Sequence, residues 1–159
     1  FKDPKMSMNE AEKTLMGEYN KLKNQESEEF EISDPLEDKK PLHWQILIFG
    51  KDGTPYESGM FFFNVEFPDT YPGHPPKKIK CSTKIYHPNI DSKGQICFQG
   101  LKDTWSSSMN AKSVIQFIID LINNPDCGDA INSEVAKCMQ EDMEKFKSTA
   151  AKWVEEYAS

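Results

Sequence analysis

Cys97 lies eight residues after Asn89 and closes the run His87-Pro88-Asn89-Ile90-Asp91-Ser92-Lys93-Gly94-Gln95-Ile96. No histidine pair and no second thiol stands near it in sequence to make a metal or redox site. By residue type alone a free cysteine is a small buried hydrophobe. Here it ends an irregular, proline-pinned segment outside any strand or helix, which suits a nucleophilic thiol that carries an acyl group. Asn89 has two readings: its amide can bond local backbone in a turn, or donate to the oxyanion of a tetrahedral intermediate in acyl transfer. Asp129, in the polar turn Asp126-Cys127-Gly128-Asp129, is by default a cap for a helix starting near Ile131. If that turn folds over Cys97, its carboxylate would orient an incoming lysine and help remove its proton. His87 is expected to hold the turn, and Trp105 to pack and fix the loop. His43, His74 and His87 lack partners at ligand spacing, so no metal is expected, and Gly50, Gly53, Gly59 and Gly94 form no phosphate-binding loop.

These groups need a scaffold, and the hydrophobic pattern supplies one. Ser7 and Glu10 have capping-box spacing, and Met8, Ala11, Leu15, Tyr19 and Leu22 recur at helical intervals to about Asn24. Glu29–Ile32, Leu42–Phe49, Met60–Phe67 and Ile79–Ser82 read as four strands of an antiparallel meander, with Asp52-Gly53 as a hairpin turn. Pro68, Pro72, Pro75 and Pro76 deny the approach to the fourth strand regular ladder bonds. From Ile85 to Asn110 no regular element is expected, and an ordered loop of that length is usually functional. Val114, Ile115, Phe117, Ile118, Leu121 and Ile122 give a central helix with a wide apolar face that ends at Asn123-Asn124-Pro125. Ile131 to Tyr157 is helical with a break near Gln140–Asp142, making two C-terminal helices. A block of strands followed by a block of helices indicates an α+β domain with helices on one face of the sheet.

With 159 residues, 37% hydrophobic and 28% charged, the chain fits one soluble domain, 1–159, with Phe1-Lys2-Asp3-Pro4-Lys5 ahead of Met6 expected to be an expression remnant. A net charge of −7 argues against nucleic acid, and no apolar run is long enough to span a bilayer. Cys81, Cys97, Cys127 and Cys138 form no Cys-x-x-Cys pair and no signal peptide opens the sequence, so a reducing cytosolic or nuclear compartment is expected.

Tyr71-Pro72-Gly73-His74-Pro75-Pro76-Lys77, His87-Pro88-Asn89-Ile90, Gly94-Gln95-Ile96-Cys97 and Trp105, in that order and spacing, resemble the core signature of ubiquitin-conjugating enzymes. The resemblance runs from the first helix to Tyr157 and includes Gly53-Thr54-Pro55-Tyr56 and Lys152-Trp153-Val154-Glu155-Glu156-Tyr157. It implies a UBC-like fold in which Cys97 accepts ubiquitin or a similar modifier as a thioester from an activating enzyme and passes it to a substrate lysine, usually with a ligase. Asn89 then matches the asparagine credited with oxyanion or loop stabilisation, and Asp129 an acidic residue near the incoming lysine. ATP is used by the activating enzyme, so no cofactor is expected here, and a monomer is expected. A thioester carrier must react with amines yet survive in water, so a histidine base beside the thiol would be harmful. Where many members have a large apolar residue this chain has Gly73, and where they have Ser-Pro-Ala or Lys-Pro-Ala it has Ser106-Ser107-Ser108. Because these loops and the first helix form the usual ligase-docking surface, weaker docking to RING or HECT ligases is expected.

Two other readings use the same residues. A non-catalytic or divergent binding module of the same fold would present surfaces to a modifier or another conjugating enzyme. A thiol hydrolase would use Cys97 as nucleophile, His87 as base and Asp129 to orient it, although His87 precedes a proline in a tight turn and is poorly free to reach a thiol ten residues on.

Overall fold

The computed structural model of the chain describes residues 8–37 and 39–159. Helix α1, Glu10–Leu22, starts from Asn9, whose side chain accepts the Glu12 N–H while the Glu12 carboxylate accepts that of Asn9. The capping box is therefore Asn9/Glu12. Ser7, assigned that role from its spacing to Glu10, lies outside the described residues, and Glu10 is the first helical residue. Four strands follow: β1 Phe30–Ile32, β2 His43–Phe49, β3 Met60–Glu66 and β4 Lys78–Cys81, paired antiparallel in chain order. The expected meander is present.

Register follows from the period of two. Trp44, Ile46 and Ile48 face inward opposite Val65, Phe63 and Phe61, which in turn oppose Ile79 and Cys81 where β4 pairs. The Asp52-Gly53 turn is not a two-residue hairpin, because β2 and β3 are joined by the longer loop 50–59, closed by a Gly50 N–H to Gly59 carbonyl bond of 2.9 Å. That length lets the loop fold Tyr56 into the core.

The central helix, Ala111–Asn123, carries the buried Val114, Ile115, Ile118, Ile119 and Ile122 into the same core as the inner sheet residues. Before it stands a helix that the sequence pattern does not reveal, α2 at Gln99–Thr104, so the central helix is α3. α2 has Gly100 in its first turn, no side-chain cap and a single buried residue, Leu101. Propensity and amphipathicity are both too weak to announce it, and tertiary contacts hold it. A 3₁₀ turn at Cys127–Asp129 leads to α4, Ser133–Glu141, and α5, Met143–Tyr157, which meet at Asp142 inside the expected break.

Trp44 packs edge-on to Tyr19 and Phe67, with ring centroids 6.2 and 5.6 Å away, which ties α1 to the sheet. Its indole N–H has no acceptor among the described residues. Such an orphaned donor costs about 1–3 kcal/mol, less than the burial and stacking of a tryptophan in that position return. No described helix is long and apolar enough to cross a membrane.

Candidate active site

Cys97 owes its position to an extended segment that crosses beside β4. Gln95 bridges Lys80, the Cys81 N–H donates to the Gly94 carbonyl at 2.8 Å, and Ile96 bridges Ile90. In extended backbone successive side chains alternate, so buried Gly94 and Ile96 face the core while Gln95 and Cys97 face out. Cys97 is the exposed member of the four free cysteines, and Cys81 is buried with its thiol pushed up to about 11 by desolvation. The residue that fixes this register is Gly94. Its φ is +82°, and a Cβ there would stand 1.9 Å from the Cys81 carbonyl oxygen, so any side chain would push the segment off β4. The preceding turn is closed by Asp91 Oδ1, which accepts the N–H groups of Lys93 and Gln95, each at 2.9 Å.

His87 is fully buried. Its Nδ1 accepts the Asn89 N–H at 3.0 Å, which leaves the proton on Nε2 to donate to the Leu121 and Ile122 carbonyls at 2.9 and 3.2 Å near the end of α3. Tyr56 stacks on the ring, with centroids 5.2 Å apart, and its hydroxyl donates to the Tyr86 carbonyl at 2.7 Å. Burial pushes His87 down to about 4, against the raising effect of the Ile122 and Leu121 carbonyls. With Nδ1 engaged by the Asn89 N–H and Nε2 directed at α3, this imidazole is a neutral pin between the loop and the helix. It is no base for Cys97, and the hydrolase reading loses its central group.

Asn89 is buried as well. Its Oδ1 accepts the Asp126 N–H at 2.9 Å, and its Nδ2 donates to the Asp126 and Asp129 carbonyls at 2.8 and 3.2 Å. All three bonds run to the backbone of the 3₁₀ turn. Of the two roles weighed for this amide, the geometry displays the one that bonds backbone, here across 37 and 40 residues and not within a local turn. Pro88 adds its carbonyl, which accepts the N–H groups of Ile131 and Asn132 at 3.0 Å each. The cap of α4 is Asn132, which accepts the Val135 N–H, and not Asp129. The Asp129 side chain is left exposed, on the wall of a groove that Cys97 and Asn89 also line. The groove has a volume of about 490 Å³, with Asp103, Phe117, Asp120, Leu121 and Asp126 among its remaining walls.

The proline-rich loop and the segment after α2 are joined to each other. Trp105 Nε1 donates to the Pro72 carbonyl at 2.8 Å, and Tyr71, with Pro72 in the cis form, packs against the Trp105 ring at 6.3 Å. Sequence reasoning passed over Glu18. Its carboxylate accepts the Tyr71 hydroxyl at 2.7 and 2.8 Å and the Ala111 N–H at 2.8 Å, joining α1, the proline loop and the start of α3. A glutamate among other charges on a helix carries no sequence signal for that role. Ser106 and Ser108 bond each other at 2.7 Å, while Ser107 and Gly73 are exposed. Among the described residues no group of His, Cys, Asp or Glu side chains is arranged to hold a metal ion.

The ubiquitin-conjugating enzyme family model matches residues 14–154. The chain belongs to the ubiquitin-conjugating enzyme family. Its fold is similar to the crystal structure of a Plasmodium yoelii protein described as a putative ubiquitin conjugating enzyme, with a TM-score of 0.89 and 33% sequence identity over 96% of this chain and 98% of that one. Membership in the family implies dealings with ubiquitin, an activating enzyme and ligases in general terms.

Proposed function

We propose that Cys97 accepts the C-terminal carboxyl of ubiquitin or a related modifier as a thioester and transfers it to a lysine of a substrate protein. The observation that carries this reading is the placement of Cys97: an exposed thiol, turned outward by a buried glycine and isoleucine, in a groove that the exposed Asp129 also lines. In the charging step the Cys97 thiolate attacks the carbonyl of the thioester held by the activating enzyme, a C–S bond forms, and the activating enzyme's thiolate leaves. In discharge the neutral lysine amine attacks that carbonyl, the C–N bond forms, Cys97 leaves as thiolate, and the ammonium proton passes to Asp129 or to water. ATP is consumed in the activating step, and no cofactor takes part at Cys97. A reducing cytosolic or nuclear compartment, which keeps such a thiol free, belongs to the same proposal.

Asn89 works in this scheme as a positioning residue that holds the Asp126–Asp129 turn beside the thiol. Among the described residues no basic side chain lines the groove at the thiol, and His87 is turned away and neutral, which protects the thioester from base-assisted hydrolysis. Docking loops that carry Gly73, Ser107 and Ser108 offer a ligase little apolar surface, so the preferred ligase is one that reads polar groups and the Trp105–Pro72 junction.

The test is charging with activating enzyme, ATP and a panel of modifiers that includes ubiquitin. The expected product is an adduct lost on thiol reduction, converted by Cys97→Ser to a reduction-resistant oxyester and abolished by Cys97→Ala. Persistence of the adduct in the alanine variant would remove Cys97 from the mechanism. A wild-type chain that never forms one would favour the binding-module reading.

A further inference from the structure

The groove around Cys97 has a chemical character that the carrier role does not require. Its walls hold four carboxylates from three separate pieces of chain: Asp103 on α2, Asp120 on α3, and Asp126 and Asp129 on the 3₁₀ turn. All four are exposed. Among the described residues no lysine, arginine or histidine lines this groove, whereas the larger groove along β4 is lined by Lys78, Lys80, Lys84 and Lys93. Asp103 and Asp120 each accept a bond from a glutamine one turn earlier on their own helix, Gln99 and Gln116, and among the described residues no cation pairs with any of the four. The nearest cation in sequence, Lys102, has its ammonium over the Phe98 ring at 4.4 Å.

A second feature is independent of the charge. The groove is also lined by Phe117 and Leu121, both half-buried and packed against the core. A groove that combines half-buried apolar side chains with exposed carboxylates complements side chains with a long hydrocarbon stem and a cationic head, which describes lysine and arginine. Carboxylates that line one concave surface also reinforce one another's potential.

Resting on the carrier reading above, we propose that the groove selects its acceptor by charge, so that Asp103, Asp120 and Asp126 favour lysines embedded in basic sequence, with Phe117 and Leu121 packing the stems of the acceptor and its neighbours. The same field works against deprotonation of the bound ammonium, because it stabilises the charged form. The selectivity therefore resides in capture: a basic context lowers the peptide concentration for half-maximal discharge and leaves the rate at saturation little changed. The field also repels hydroxide, which helps the thioester outlast water.

The experiment charges the intact chain with ubiquitin and offers peptides that contain one lysine flanked by arginine, alanine or glutamate. At low salt the arginine-flanked peptide is expected to half-saturate at a concentration about ten-fold below the glutamate-flanked one, and the gap to close near 0.5 M salt as screening shortens to about 4 Å. The pair Asp103→Asn and Asp120→Asn, isosteric and able to keep the glutamine contacts, is expected to narrow the gap several-fold. Equal half-saturation for the two peptides at low salt, or a gap indifferent to both variants, overturns the proposal while leaving the carrier reading intact. A chain that forms no reducible adduct with any modifier overturns both. A readout that needs no modifier is the reaction of Cys97 with disulfides, in which the thiolate forms a mixed disulfide and releases the other half as thiol. With Cys97→Ala as the blank, the ratio of the rate with cationic cystamine to that with anionic oxidised glutathione should fall in the asparagine pair. An unchanged ratio counts against an anionic groove.

Discussion

The sheet and the segment that bears Cys97 lie side by side, yet different forces hold them. On the inner face of β2 and β3, Trp44, Ile46, Ile48, Phe61, Phe63 and Val65 are almost wholly removed from water and meet the apolar face of α3. That region is secured by burial, which is large, non-directional and shared among many side chains. The stretch 87–97 with its neighbour 126–132 buries few apolar groups, chiefly Ile90 and Ile96, and depends on His87, Asn89, Asp91 and Asn132 bonding to specific backbone atoms. Directional bonds fix atoms more finely than burial does, and a site that must hold a thiol in one orientation benefits from that. The corresponding weakness is that each bond is concentrated in one polar side chain, so a single isosteric change removes it.

That contrast can be broken at several points. Phe63→Ala, in the most buried part of the sheet, should cost about 3–5 kcal/mol in denaturant unfolding, because the cavity lies where neighbours on both strands and α3 cannot close in. Acid should act on the loop. His87 titrates at about 4 in the folded chain against about 6.5 unfolded, so the unfolded state takes up the proton first. Stability contributed by the neutral ring is complete above pH 6.5 and is lost as pH falls towards 4, about 3 kcal/mol in all. Unfolding curves at stepped pH measure it, and a flat profile across that window would mean that His87 is not the buried neutral pin.

Asn89→Asp keeps the acceptor for the Asp126 N–H but replaces both donor bonds with a carboxylate facing two carbonyls. The expected loss is about 2 kcal/mol, with hydrogen exchange rising in residues 126–132 and the sheet amides little altered beyond the global change. Uniform loosening of loop and sheet alike would erase the distinction between the two regions. The smallest effect on stability belongs to Asp129→Ala, an exposed position expected to stay within about 0.5 kcal/mol of the parent, with lysine discharge slowed and charging intact. Equal slowing of both steps would indicate that Asp129 supports the turn and not the incoming amine.

Most of the fold was legible because burial leaves a periodic trace. The alternation in Leu42–Phe49 and Met60–Phe67 and the 3.6-residue spacing in α1 and α3 locate those elements within a residue or two. Two local features escaped. α2 is short, carries Gly100 and buries only Leu101, so it has no period to read. The Asp52-Gly53 signal was a turn inside a longer loop, whose course depends on Tyr56 finding a place against His87.

The sequence by itself determined the architecture, the family and the cysteine, since those depend on residue type and spacing along the chain. Only the tertiary structure decided what the polar residues do: that His87 faces α3 and not the thiol, that the Asn89 amide closes on the 3₁₀ turn, that Asn132 and not Asp129 caps α4, and that four aspartates share one groove with Cys97. The physical reason is that a hydrogen-bonding side chain is satisfied by whichever partner the fold brings within about 3 Å, and nothing local to it in the chain names that partner.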